Sequence, residues 1–155
     1  MKRTFGTWAT RILRGGCTLT DGEFHIVASL VSELPPSLRD IVEKQFAAYN
    51  LAQREVDRRA LNFYRVALGR SGVLPVSPLL RSKLEVAPLV RISFNVQGEA
   101  EPLHAVLTAV HGRAFSVSFS RPVATGRVPN DFSMEKSTQA WRSNFDGDSG
   151  DVALG

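Results

Sequence analysis

The stretch Leu38–Ala67, LRDIVEKQFAAYNLAQREVDRRALNFYRVA, decides the predicted fold. When its residues are placed at 100° intervals around a helix axis, most apolar and aromatic side chains fall on one stripe. The members of that stripe are Leu38, Val42, Phe46, Tyr49, Val56, Ala60, Phe63, Tyr64 and Ala67. Gln53 is its one clearly polar member. Because helices in proteins owe most of their stability to tertiary packing, we predict one long amphipathic helix lying against a second layer.

A shorter helix is predicted just before the long one. Thr20 and Glu23 have the spacing of a capping box, in which each side chain bonds the other residue's backbone. Apolar residues then recur with helical spacing, which predicts a helix from Asp21 to Glu33. Pro35-Pro36 ends this helix, and Ser37 is the expected N-cap of the next one. The two helices are therefore expected to form a hairpin.

The hydrophobic period changes from 3.6 to 2 in the second half of the chain. Val90–Val96 alternates apolar and polar residues, and so does Phe115–Phe119. Between them, Leu103–Val110 is apolar on both parities, as in a central strand that is covered on more than one side. Residues 88–121 are thus predicted to form a three-stranded, or slightly larger, antiparallel meander. Further along the chain, Ser133 is a candidate cap for a short helix that continues through Trp141. The predicted fold class is α+β, with the helical hairpin packed on the sheet.

Helices followed by a curved antiparallel meander that holds a long helix resemble the cystatin-like and NTF2-like α+β group in architecture. The resemblance lies in the order of elements and includes no shared motif residues. It therefore implies a fold and no function.

Length and composition indicate a single domain. The chain has 155 residues, of which 43% are hydrophobic and 22% are charged, as in an ordinary globular protein. We expect a basic N-terminal arm over residues 1–19, one α+β domain over residues 20–145 and a disordered acidic tail over residues 146–155. No apolar run approaches the ~20 residues of a membrane span. The single cysteine, Cys17, favours a cytoplasmic protein, although the basic N-terminus leaves organelle targeting open.

The best-defined basic feature belongs to the predicted long helix. Arg54, Arg58 and Arg65 cluster within about 40° of helix arc, away from the apolar stripe. Arg70, Arg81 and Lys83 follow along the chain. Such an arginine ridge could bind the phosphates of a nucleic acid or another anion.

The second candidate surface is the polar face of the predicted sheet. Its side chains are short and rich in hydrogen-bonding groups: Arg91, Asn95, Ser116, Ser118 and Ser120. This face favours a non-enzymatic binding or adaptor domain that engages a protein partner or a second copy of itself. A nucleic-acid-binding protein that uses the arginine ridge is the first alternative.

The sequence contains no signature of a catalytic, metal or cofactor site. The three histidines lack the spacing of a zinc site, and no glycine-rich phosphate loop or nucleophile elbow occurs. We therefore predict no cofactor and no metal. A small enzyme with a pocket between helix and sheet, using His104 or His111, is the second alternative.

Overall fold

Two helices precede six strands in the computed structural model, which describes residues 13–67 and 73–145. The elements in chain order are α1 (Asp21–Ser32), α2 (Pro36–Ala48), β1 (Leu51–Arg54), β2 (Ala60–Tyr64), β3 (Val86–Val96), β4 (Leu103–Val110), β5 (Arg113–Phe119), β6 (Phe132–Thr138) and α3 (Trp141–Asn144), with a short 3-10 helix at Pro129–Asp131. None of the helices in these ranges is long and apolar enough to cross a membrane. The predicted tail at residues 146–155, and the arm as far as residue 12, lie outside the described residues.

The strands form one antiparallel sheet in the order β1-β2-β5-β4-β3-β6. The α+β class is therefore confirmed. The sheet has six strands rather than three, because the meander β3–β5 gains the hairpin β1–β2 on one side and β6 on the other. The helix α1 contacts β3 and β4, and α2 contacts β5, so both helices pack on the same side of the sheet.

The prediction for α1 is correct in detail. The Glu23 N–H donates to Thr20 Oγ1 at 3.2 Å, and the Thr20 N–H donates to Glu23 Oε2 at 2.8 Å. These two bonds satisfy backbone donors that a helix start otherwise leaves unpaired. The next helix, α2, begins without a side-chain cap: Pro35 occupies the N-cap position, and Ser37, the predicted cap, is the exposed second residue of the helix.

The prediction of one long helix is wrong beyond Ala48, because α2 ends there. Asn50 takes part in the change of direction: its Nδ2 donates to Val66 O at 2.6 Å, and its Oδ1 accepts from the Val66 N–H at 2.9 Å. An amide side chain that replaces backbone partners in this way competes with helix formation. The chain then returns through β1 and β2, which pair from Leu51 opposite Tyr64.

The β1–β2 hairpin turns without glycine or proline. Asp57 Oδ1 accepts the Arg59 N–H at 2.9 Å, and Arg58 has a positive φ of 61°. An aspartate that bonds the backbone two residues ahead stabilises a turn in place of glycine. Val56, a member of the predicted apolar stripe, lies at this tip with its side chain fully exposed.

The predicted helix from Ser133 through Trp141 is also wrong. Residues Phe132–Thr138 form β6, which pairs with β3, and only Trp141–Asn144 is helical. Of the seven residues of β6, only Phe132 is buried, so the strand carries no apolar alternation that sequence reading could detect.

The core lies between the helices and one face of the sheet. It contains Ile26 and Leu30 of α1, Val42 of α2, and the alternating residues Leu103 and Leu107 of β4, all of which are buried. The stripe of the predicted long helix therefore contributes to the core on α2, at Tyr49 just after it, and again at Phe63 on β2.

A buried amide fixes α2 against the β4–β5 turn. Gln45 is fully buried and makes three hydrogen bonds: its Nε2 donates to Pro78 O at 2.6 Å and to Gly112 O at 3.0 Å, and its Oε1 accepts the Ala114 N–H at 2.8 Å. The Leu80 N–H also donates to Gly112 O at 2.7 Å. The turn itself consists of His111 and Gly112, both with positive φ, as in the type I′ turns that suit two-residue hairpins.

We predict that Gly112→Ala destabilises the fold more than Gly98→Ala does. Both glycines have a positive φ near 80°, so both variants pay the cost of a left-handed alanine, about 1 kcal/mol. A Cβ at residue 112 would also lie 2.5 Å from Leu80 O, whereas nothing lies within 4 Å of one at residue 98. Urea unfolding should show an extra loss of about 1–3 kcal/mol for Gly112→Ala; equal losses would mean that the turn is not packed as described.

Candidate binding face

The face of the sheet opposite the helices is here called the outer face. Along β4, Leu103, Ala105, Leu107 and Ala109 are buried under the helices, so the residues between them point the other way. Through strand register, the outer face of β3–β6 carries Arg91, Ser93, Asn95, His104, Val106, Thr108, Ser116, Ser118, Lys136 and Thr138. These side chains are exposed or half-buried.

One row of side chains crosses four strands at the same level. Ser93 is in register with Lys136 on one side and with His104 on the other. The Ser93 hydroxyl lies 2.7 Å from His104 Nδ1. On the far side, the His104 N–H donates to Ser120 Oγ at 3.0 Å, and the Ser120 N–H donates to His104 O at 2.9 Å. The row is thus held by backbone pairing and by two hydrogen bonds that involve serine side chains.

Arg91 stands in the next row, opposite Val106 on β4 and Thr138 on β6. The side chains of Arg91 and Lys136 make no hydrogen bond or ion pair with any residue of the described chain. No acidic residue occupies an outer-face position in register on β3, β4 or β5. Glu135 is the bulged residue of β6, between the pairs of Lys136 and Met134, and has no partner in register. The outer face therefore has a cationic end.

The other end of the outer face is mainly apolar, with one cation, Arg113, opposite Val110 beside the β4–β5 turn. Tyr64 of β2 and Phe115 of β5 pack edge to face, with ring centroids 5.1 Å apart at 84°, and both are half-buried. Val106 and Val110 of β4 are also half-buried. Burial raises the pKa of the Tyr64 hydroxyl, and the charge of Glu55 adds to the rise, so this phenol stays neutral at physiological pH.

Arg54 does not belong to an arginine ridge. It lies on β1, where its guanidinium makes a two-pronged contact with the carboxylate of Glu23 on α1: Nε to Oε1 at 2.9 Å and Nη2 to Oε2 at 2.6 Å. The side chain of Glu23 is only 2% exposed and that of Arg54 is 20% exposed. Arg54 thus ties the sheet to the capping box of α1 and stabilises the fold.

The other predicted ridge residues are dispersed because the helix that would align them does not form. Arg58, in the hairpin turn, donates from Nη2 to Thr125 Oγ1 at 3.3 Å, and Arg65, just after β2, donates from Nη1 to Pro75 O at 3.1 Å. Arg81 and Lys83 are exposed in the irregular segment before β3. Arg70 lies outside the described residues. The predicted alignment of Arg54, Arg58 and Arg65 on one helix face is therefore wrong.

The predicted sheet-face residues do come together. Arg91 and Asn95 on β3, Ser116 and Ser118 on β5, and Ser120 just after β5 share the outer face. Sequence reading missed Lys136, because β6 was not predicted, and it missed the contact between Ser93 and His104. Ser93 and His104 each lie on a predicted strand, but only the register shows that they are neighbours.

Reactive groups elsewhere show no catalytic arrangement in the described ranges. Two clefts, of about 650 and 220 Å³, lie beside Gln53, and neither is lined by a histidine. His111 pairs with Glu85 at 3.2 Å, and both are exposed. Burial raises the pKa of the Cys17 thiol more than the nearby Arg54 lowers it, which opposes thiolate formation. No group of three or more metal-ligating side chains occurs in residues 13–67 and 73–145.

Comparison of the chain with family profiles, with curated proteins and with solved structures finds no match in any of the three.

We predict that Arg54→Met strongly destabilises the protein and that Arg58→Met does not. Removing Arg54 leaves the Glu23 carboxylate buried without its partner, a loss on the order of 3 kcal/mol, whereas exposed Arg58 should contribute less than about 0.5 kcal/mol. Chemical denaturation of the two variants measures the difference.

A second substitution identifies the cause. Glu23→Gln should destabilise the wild type but stabilise Arg54→Met, because it removes a buried charge that has lost its counterion. The same sign in both backgrounds would show that the pair is not the source of the effect.

Proposed function

We propose that the protein is a non-enzymatic binding domain whose outer face engages a partner protein. The observation that supports this most directly is the composition of that face: half-buried Tyr64 and Phe115 lie towards one end, and Arg91 and Lys136, whose side chains have no partner in the described chain, lie at the other, with half-buried Val106 next to Arg91. Protein interfaces combine an apolar, aromatic centre with a polar rim in this way. Because the residues lie on paired strands, little ordering is needed when a partner docks.

The charge of the outer face favours a foreign, acidic partner over a second copy of the chain. If two copies of the chain met through this face, Arg91 and Lys136 of one copy would approach Arg91 and Lys136 of the second copy. Repulsion between these like charges would oppose association. Edge-to-edge growth through β6 is opposed as well, because a bulge at Glu135 and a lysine at residue 136 are features that block strand pairing. An acidic surface would instead be attracted.

The nucleic-acid alternative loses its main support with the arginine ridge. Arg54 is engaged with Glu23, and Arg58 and Arg65 lie in separate loops, so no continuous track of cations is evident among them. Tight nucleic-acid binding draws on several phosphate contacts. Steep weakening of binding by salt, together with loss of binding in Arg58→Glu, remains the result that would favour it.

The enzyme alternative would use His104 or His111 in a pocket between helix and sheet, but His111 is exposed in the β4–β5 turn, and His104 lies on the outer face, where its ring contacts Ser93. The hydrogen bond between Ser93 and His104 is exposed on the open outer face, whereas catalysis by a serine and a histidine depends on a water-poor site with donors placed for the developing oxyanion. The pair is better suited to recognition than to reaction.

Site-specific photo-crosslinking in the native cell tests the proposal. A photoreactive residue at Asn95, exposed on the outer face, should capture a protein, and the same group at Glu43, exposed on α2, should not. After the captured protein is purified, Arg91→Glu with Lys136→Glu should weaken its binding at least about tenfold, equivalent to about 1.4 kcal/mol.

Three results would contradict the proposal: capture of nucleic acid at Asn95, capture only of a second copy of the chain, or binding that does not change when the two charges are reversed. Folding of the variants is verified by their unfolding curves, and Lys44→Glu on α2 serves as the charge-matched control.

A further inference from the structure

Four side chains on the outer face form what is called here the cationic cluster: Arg91, Ser93, His104 and Lys136. Directly opposed residues in an antiparallel pair have Cβ atoms about 5 Å apart. Ser93 is directly opposed to His104 on one side and to Lys136 on the other, so this distance applies to both pairs. Arg91 lies two residues before Ser93 on the same strand, about 7 Å away. The other three members of the cluster therefore surround Ser93, on the same strand and on the two adjacent strands.

The four groups offer hydrogen donors of the kind that a phosphate requires. A phosphate monoester has acceptor oxygens and a charge close to −2 at neutral pH. Guanidinium and ammonium groups meet such oxygens with charge-assisted hydrogen bonds, and guanidinium can bind two oxygens at once. Arg91 and Lys136 have no competing partner in the described chain.

The contact between Ser93 and His104 supplies a further donor whichever tautomer it adopts. If Nδ1 of His104 accepts the serine hydrogen, the neutral ring carries its own hydrogen on Nε2 and can donate it outward. If Nδ1 instead donates to the serine oxygen, the serine hydroxyl is left to donate. In both cases one hydrogen points away from the pair.

From this arrangement we propose that the cationic cluster is a binding site for a phosphate monoester carried by the partner protein. The domain would then recognise a phosphorylated segment of that partner. The inference rests on the proposed function, because it specifies which chemical group of the partner protein the outer face binds.

The shape of the charged area favours one phosphate over a nucleic-acid strand. The cations of the cluster occupy two neighbouring rows, and the outer face continues into Val106, Ser118 and Phe115, which are uncharged, before the separate cation Arg113 beside the β4–β5 turn. A nucleic acid needs cations that follow its backbone. A peptide that carries a single phosphate needs one compact cluster and, next to it, an apolar and hydroxyl-rich surface for its flanking residues.

The charged neighbours of the cluster predict how its affinity can be changed. Glu135 adjoins Lys136 on β6, and Glu99, within the β3–β4 loop, is paired with Arg121 and Arg127. The hydrogen bond from Arg121 lowers the pKa of Glu99, so this carboxylate stays ionised and bound to its arginines at neutral pH. Glu135 is thus the nearby acid that competes for the cluster, and Glu135→Gln should strengthen phosphate binding about twofold to threefold.

Titration of the full-length chain, followed by amide NMR shifts, tests the site. The probes are N-acetyl-phosphotyrosine amide and N-acetyl-phosphoserine amide, with unphosphorylated N-acetyl-tyrosine amide, inorganic phosphate and sulfate for comparison. We expect the phosphorylated probes to shift the amides of residues 91–95, 104 and 136. Arg91→Ala should weaken binding about tenfold or more, as for a lost charge-assisted bond, whereas Lys44→Ala on α2 should change it less than twofold.

Several outcomes would overturn the inference. These are no shifts at those amides up to about 10 mM probe, equal shifts with the unphosphorylated amide, or an oligonucleotide that binds about a hundredfold tighter through the same residues. Ser93→Ala and Lys136→Ala check that more than one member of the cluster contributes. Failure of the inference can be told apart from failure of the proposed function. If the captured partner still binds after phosphatase treatment, and its binding still depends on Arg91, the outer face is a protein-binding surface but not a phosphate site.

Discussion

The Gly112 carbonyl is the point on which the arrangement of the two layers depends. It accepts hydrogen bonds from the Gln45 side chain and from the Leu80 backbone, in a place that water does not reach. A buried polar group that is left without a hydrogen-bond partner destabilises the fold by more than an ordinary hydrogen bond stabilises it. These bonds therefore oppose sliding or rotation of α2 on the sheet. Tyr49 strengthens the same attachment, because its hydroxyl donates to Ala114 O at 2.6 Å. Burial raises the pKa of this phenol far above its usual range, so the donor keeps its hydrogen.

This attachment explains why the outer face is available. With α2 fixed against β5 and α1 joined to β1 by Glu23 and Arg54, both helices remain on one side of the sheet. Strand alternation then sends every second side chain of β3, β4 and β5 to the other side. The polar and cationic residues of the outer face come from four separated strands, β3, β4, β5 and β6, and strand register brings them together. The arrangement of this face therefore depends on the integrity of the sheet.

Some of the fold could be read from the sequence because the signals were local. The capping box of Thr20 and Glu23 and the alternation of Val90–Val96 depend on residues a few positions apart. The prediction of the long helix failed for a physical reason as well. Phe46 and Phe63 both fall on the apolar stripe of a helix, but Asn50 and Asp57 bond the backbone in ways that stop a helix and make a turn. Propensity is a weak guide when such side-chain contacts compete with it.

The candidate face was predictable to a smaller degree. Arg91 and Asn95 could be placed on the polar side of a strand, since alternation alone determines their side. Lys136 could not, because an edge strand that is exposed on both faces has no hydrophobic period. Arg54 was misplaced because its counterion, Glu23, lies 31 residues earlier, and sequence spacing does not report such a pairing.

Val56 gives the molecule a useful property of a different kind. Its side chain is surrounded by solvent at the tip of the β1–β2 hairpin, and the turn around it is held by Asp57 and Arg59. Exposed loop tips are the places where proteins best tolerate added chain. A fluorophore or a short affinity tag attached at residue 56 would therefore report on the protein while leaving both layers undisturbed.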